Sequence, residues 1–313
     1  MSETTTMDRP AEPDWSTLTP EGLAAFQEAE NRVRASVAAR AITGEPDPGA
    51  TIEWRQVALP GRDLPVRVHR PSAGGARLPL VVQVHGGGFV GTAAQCDWAN
   101  SHLAARLPAV VVAVEHRLLD WETPLTAAAD DGWDVLRHVV EHAGEWGVDP
   151  GRVAVFGESF GGLITALSAI RARQAGLRLR AQVLVNPGAD VTSEAFDLPS
   201  TREYPCTPTL TLPQLHFFRK LAVPEGADAR ALSPLHAGDL SGLAPALVVV
   251  PTADPVADHG RRYAERLQAS GTPARLSEYD GAGHAFLSMP GMVPQAEPAR
   301  AEILGFLRQA LGG

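Results

Sequence analysis

Two short runs hold residue types that could do chemistry together. They are Gly157-Glu158-Ser159-Phe160-Gly161-Gly162 and, about seventy residues earlier, His85-Gly86-Gly87-Gly88. The first has the pattern G-x-S-x-G. It follows the apolar run Val153-Ala154-Val155-Phe156 and opens a stretch that reads as helix. A serine on a sharp turn between strand and helix has its hydroxyl held clear of the backbone. Gly157 and Gly161 let such a turn close, because a Cβ there would clash with its neighbours. The helix read from Ser159 aims its N-terminal end, with its partial positive charge, at the reacting centre, where it favours an oxyanion. The glycines after a second strand add further N–H donors. A serine nucleophile beside an oxyanion hole performs acyl transfer.

Asp149-Pro150-Gly151-Arg152 stands just before the strand that leads to the serine, and Asp254-Pro255-Val256-Ala257-Asp258 and Gly283-His284-Ala285-Phe286 stand further along. In this order and spacing the motifs resemble the α/β-hydrolase fold and, within it, the hormone-sensitive-lipase-like carboxylesterases. The resemblance runs from about Leu80 to the C-terminus. A lone G-x-S-x-G is weak evidence, whereas these motifs together in the family's order are strong. The resemblance implies an α/β fold with a mostly parallel eight-stranded sheet flanked by helices, and a helical cap over the site. It also implies a homodimer formed through the last strand and the C-terminal helix.

A serine hydroxyl is a poor nucleophile at neutral pH and needs an adjacent base. The base needs a carboxylate to hold its tautomer and stabilise the imidazolium. In this fold the chain order is Ser, then Asp or Glu, then His. Ser159 is therefore assigned as nucleophile, His284 as base and then acid, and Asp254 as the group that orients it. Asp258 competes with Asp254, but it lies where the next helix starts, which suits capping or an ion pair. The oxyanion hole is expected from the N–H groups of Gly86, Gly87 and Phe160. His85 is read as holding the loop's shape; Gly88, Gly157, Glu158 and Gly161 complete the motifs.

Two departures from the family's pattern stand out. Where the family has Asp and Ala around the serine, this chain has Glu158 and Phe160. Glu158 keeps the charge on a longer arm, which could shift its network. Phe160 either packs under the sheet or narrows the acyl or alcohol pocket. In addition, His116-Arg117-Leu118-Leu119-Asp120-Trp121 replaces a Tyr-Arg-Leu-Ala-Pro-Glu type of sequence. Trp98, Phe217 and Phe218 could line an apolar substrate pocket, or could equally pack core and cap.

Composition narrows the function. The 313 residues carry a net charge of −9, which speaks against nucleic-acid or anionic-membrane partners. The apolar share of 44% is ordinary for a globular protein. Lys220 is the only lysine. Cys96 and Cys206 form no metal or redox motif and are read as free thiols. His138 and His142 are four apart on a predicted helix but lack the H-E-x-x-H order and a third ligand, so no metal site is expected. Arg171, Arg173, Arg178 and Arg180 gather at a helix end, where they suit the dipole. No apolar run approaches the ~20 residues of a membrane span. No signal-peptide layout is present, and a cytoplasmic location is expected.

Residues 1–50 read as a disordered segment, residues 1–14, followed by a cap helix from Thr19-Pro20 to Arg40. Residues 51–313 read as the catalytic domain, with a proline-rich cap insertion at about 190–235 that includes a short helical stretch, 215–218. Strands are expected at Ile52–Ala58, Val66–His69, Leu80–Val84, Val110–Val114, Val153–Phe156, Ala181–Val185, Ala246–Val250 and Ala274–Tyr279. The first two alternate and lie adjacent, as at an antiparallel edge; the later runs suit parallel strands covered on both faces. Helices are expected at Trp98–Leu107, Leu125–Glu145, Ser159–Gln174, Asp258–Ala269 and Pro298–Leu311.

The expected function is hydrolysis of short to medium chain carboxylic esters through an acyl-serine intermediate, with a small-molecule ester as substrate and no cofactor. The alternatives are a deacetylase, amidase or lactonase of a small natural product, which the same triad would serve, and a non-catalytic small-molecule receptor. A receptor of this lineage typically loses the base, and here Ser159, Asp254 and His284 are all present.

Overall fold

The computed structural model describes residues 10–312. The expected disorder over 1–14 lies mostly outside that range; residues 10–14 carry neither helix nor strand. The framework is one eight-stranded sheet of β1 (Ala50–Leu59), β2 (Arg62–Pro71), β3 (Leu78–Val84), β4 (Val110–Val114), β5 (Val148–Glu158), β6 (Ala181–Val185), β7 (Ala246–Ala253) and β8 (Ala274–Gly283), in the spatial order β1-β2-β4-β3-β5-β6-β7-β8. Only β1–β2 and β2–β4 pair antiparallel; the other neighbours are parallel. Valine-rich β4 is buried throughout, as a strand covered on both faces must be, whereas β1 keeps alternate residues in solvent.

The helices are α1 (Pro20–Arg34), α2 (Arg40–Thr43), α3 (Asp97–Arg106), α4 (Leu125–Glu141), α5 (Ala143–Trp146), α6 (Phe160–Gln174), α7 (Pro199–Glu203), α8 (Leu212–Ala222), α9 (Ala257–Ala269) and α10 (Ala296–Leu311). They cover both faces of the sheet. Along β5, Val153 and Val155 enter the core shared with α4 and α6, while Ala154 and Phe156 enter the core shared with α3 and α10. Among the described residues no helix is long and apolar enough to cross a membrane.

Three expected helices are corrected. The first does not run to Arg40: it stops at Arg34, and Ser36 caps a new 3-10 turn by accepting from the Ala39 N–H. The helix expected over 125–145 breaks at His142, whose main-chain and ring nitrogens both turn back to the His138 carbonyl. α6 begins at Phe160, one residue late, because Ser159 has φ 55° and ψ −118° and cannot be helical.

The insertion at 190–235 holds α7 and α8, the latter longer than expected. A capping box starts α8, with Thr211 and Gln214 each satisfying the other's N–H. Around Phe217 of α8 gather Trp15, Phe89 and Trp121, with ring centroids 5.3 to 5.8 Å away. Such aromatic pairs contribute roughly 0.5–1.5 kcal/mol each beyond their burial. Phe89 directly follows the glycine run, so this cluster fastens the N-terminal segment and the cap to that loop.

Candidate active site

Four segments meet at the C-terminal ends of the parallel strands, where open α/β sheets place their sites. Gly86–Gly88 follow β3, Ser159 follows β5, Asp254 follows β7 and His284 follows β8. The turn at Ser159 closes only because its flanks are glycine. A Cβ on Gly157 would lie 2.2 Å from the Gly161 carbonyl oxygen, and one on Gly161 would lie 2.1 Å from that of Val84. The Ser159 N–H donates to the Val185 carbonyl at 2.8 Å, which ties the turn to β6.

Ser159 Oγ lies 2.7 Å from His284 Nε2, and His284 Nδ1 lies 2.8 Å from Asp254 Oδ2. Asp254 is fully buried, and its other oxygen accepts from the Val256 N–H at 2.9 Å. With Nδ1–H donated to the carboxylate, Nε2 is left to accept the serine proton. Burial works against the imidazolium, but the charge and hydrogen bond of Asp254, helped by the charge of Glu158, hold the His284 pKa above its ordinary 6.5. Asp258 takes no part in this chain of bonds. It pairs with Arg261 at 2.9 Å and accepts from the Ser200 N–H at 2.9 Å.

Beside the serine, the N–H groups of Gly86, Gly87 and Phe160 find no acceptor among the described residues. Gly86 abuts the turn so closely that a Cβ on it would sit 3.3 Å from Ser159 Cβ. The His85 ring is fully buried, donates from Nδ1 to the Gly86 carbonyl at 2.9 Å and stacks on His116 at 4.1 Å. Burial pushes His85 down to about 4; burial and then the neighbouring His85 push His116 down to about 3. Both rings are neutral supports of the loop. His116, one of the residues that depart from the family's pattern, was not singled out for this place.

Glu158 is buried and accepts from the Ser288 hydroxyl. Phe160 is buried between the rings of His116 and Phe218, at 5.3 and 5.4 Å. Phe218 lies over Gly88: a Cβ there would come within 2.6 Å of its ring. Phe217 belongs to the cap cluster. Of the two places left open for Trp98, it takes the packed one. It packs between α3 and α10 with the Arg300 guanidinium 3.6 Å from its ring centroid. Its apolar neighbours there come from the sheet face that α3 and α10 cover. Thr209, whose hydroxyl donates to the His284 carbonyl, gave no signal in the sequence. Among the described residues no cluster of His, Cys, Asp or Glu is arranged to hold a metal; the His138 and His142 rings simply stack at 4.2 Å.

A profile of the α/β-hydrolase fold matches residues 81–288. Carboxylesterase NlhH of Mycobacterium tuberculosis is 38% identical over 275 residues, which is 84% of each chain. Ethyl acetate hydrolase of Pseudomonas putida is 32% identical over 279 residues, 86% of each. Among solved structures, a hyperthermophilic esterase from the archaeon Pyrobaculum calidifontis superposes with a TM-score of 0.84 at 31% identity, covering 92% of this chain and 93% of its own. The fold and site thus define a hydrolase built on a parallel sheet, and the chain belongs to the α/β-hydrolase family.

Proposed function

We propose that this carboxylic ester hydrolase is a serine carboxylesterase of short to medium chain esters, with Ser159 as nucleophile, His284 as base and then acid, and Asp254 as the orienting carboxylate. The observation that carries the reading is the unbroken hydrogen-bonded chain from Ser159 Oγ through His284 to Asp254, at 2.7 and 2.8 Å. His284 Nε2 takes the proton as Ser159 Oγ attacks the ester carbonyl. The oxyanion rests on the N–H groups of Gly86, Gly87 and Phe160, each contributing about 3 kcal/mol to lowering the barrier. The imidazolium protonates the leaving alcohol, and water repeats the sequence on the acyl-serine.

The short chain length is supported by the Phe218 ring over Gly88 and by the ethyl acetate hydrolase relative. The test is hydrolysis of p-nitrophenyl acetate, butyrate, octanoate and palmitate by the wild type and by Ser159→Ala. Turnover that is greatest on the two short esters and vanishes in the variant is expected. A wild type inert on all four, or a variant that keeps its turnover, would overturn the reading.

A further inference from the structure

One carboxyl group beside the nucleophile has no part in the steps above. Glu158 ends β5, only 2% exposed, immediately before Ser159. Its Oε2 accepts from the Ser288 hydroxyl, and its Oε1 has no partner among the described residues. Ser288 closes the 3-10 turn Phe286–Ser288, which follows His284 after one residue, Ala285, in the left-handed region at φ 59°. Besides the Ser159–His284 bond itself, this side-chain bond joins the turn that carries the nucleophile to the turn that carries the base. An aspartate at 158 would draw the carboxyl back by one methylene and away from Ser288.

We propose that Glu158 is a positioning residue for His284, acting through Ser288 to fix the imidazole against Ser159 and adding a second negative charge to that of Asp254. The proposal rests on the serine-esterase reading. Burial raises Glu158 above the ordinary carboxylate range, while the Ser288 hydrogen bond and the charge of His284 pull it back. A proton arriving on His284 strengthens that pull, so the two groups stabilise each other's charged forms when the imidazolium is needed. The charged groups that face His284 are Asp254 and Glu158. Around Glu158 lies a cavity of about 10 Å³ bordered by Thr43 of α2, Gln83 of β3, and Gln95 and Cys96 of the turn before α3. Of these only Cys96 titrates, and burial pushes its thiol up, so it stays neutral.

The test follows kcat and KM across pH for the wild type, Glu158→Gln, Glu158→Asp and Ser288→Ala, with active sites counted by titration with a p-nitrophenyl phosphonate. Glu158→Gln removes the charge and keeps the shape. Its acid limb of kcat/KM is expected roughly one pH unit lower, because the imidazolium loses a stabilising charge. Ser288→Ala keeps the charge and removes the tie; kcat is expected to fall about tenfold with KM within about twofold. Glu158→Asp is expected to behave like Ser288→Ala. A Glu158→Gln limb that superimposes on the wild type would overturn the proposal, even with a lowered Tm, since it would leave Glu158 a purely structural group. Should Glu158→Gln not fold, an unchanged kcat in Ser288→Ala would overturn it instead. Failure of the underlying reading looks different: the phosphonate would not label Ser159 at all.

Discussion

The hydroxyl of Thr209 donates to the main-chain carbonyl of His284 across 2.7 Å. Thr209 sits between α7 and α8, and His284 begins the loop after β8. The cap grips the acid's loop as well. Ser200 Oγ and Thr201 Oγ1 donate to the Pro255 carbonyl at 3.0 and 2.8 Å, next to Asp254. The insertion that holds α7 and α8 is therefore tied to both loops behind the serine.

Thr209→Val keeps the volume and removes the donor, leaving the His284 carbonyl short of a partner. A kcat lowered by about tenfold with KM little changed is expected, and Thr209→Ser should restore it. Steady-state kinetics on p-nitrophenyl butyrate decide the matter; an unchanged kcat in the valine variant would detach the cap from the chemistry.

Gly87 has φ 93°, and a Cβ there would lie 2.1 Å from the Val90 carbonyl oxygen. Gly87→Ala must reshape the loop that presents two of the proposed oxyanion donors. A fall in kcat on the order of 10²-fold or more is expected, with the far-UV spectrum unchanged because the loop lies outside the sheet. Wild-type turnover in this variant would remove the loop from the mechanism.

In the proposed mechanism His284 must be neutral to act as base, and its pKa is held above 6.5. Activity is therefore expected to rise with pH through a limb above 6.5. For stability the sign is opposite: the charged imidazole's contribution is complete below 6.5 and lost as pH rises through the raised value. Asp254→Asn should move the kinetic limb down and lower kcat by about 10⁴-fold. A limb indifferent to this substitution would show that Asp254 does not set the base.

His85 and His116 predict acid sensitivity by the converse route. In the unfolded chain both protonate near 6.5, while in the folded protein they resist to about 4 and about 3. Between those values the unfolded chain binds more protons, so stability falls as pH falls. The loss from His85 alone is on the order of 3 kcal/mol by pH 4. Urea midpoints measured from pH 7 to pH 4 should drop steeply, and less steeply in His116→Phe.

Phe218→Ala removes the ring over Gly88 and beside Phe160. The ratio of octanoate to acetate turnover is expected to rise by about tenfold or more, as several methylenes gain room. An unaltered chain-length profile would place the acyl group elsewhere.

How much of this was legible depended on whether the cause was local. Each of the eight strands was readable because runs such as Val110–Val114 have few ways to be buried other than in a sheet. The start of β5 was not, since Asp149–Arg152 are polar and lie in a register shift, between Val148 opposite Leu78 and Val153 opposite Leu80. The order of Ser159, Asp254 and His284 was legible by resemblance. The stack of His85 on His116 and the bonds from Thr209 and Ser288 were not, because tertiary packing alone brings those residues together. The place of Trp98 stayed open between pocket and core, because only the packing of α3 against the core shared with α10 decides it.

Among the described residues β8 is hydrogen-bonded to a neighbouring strand on one side only, at β7. Ser159 stands after an interior strand, while His284, the proposed base, hangs from the outermost one. Edges fray at lower cost than interiors. Heat should therefore silence this enzyme by peeling its rim while most of the sheet is still intact, and thermal inactivation becomes a local event that replacing core side chains would do little to delay.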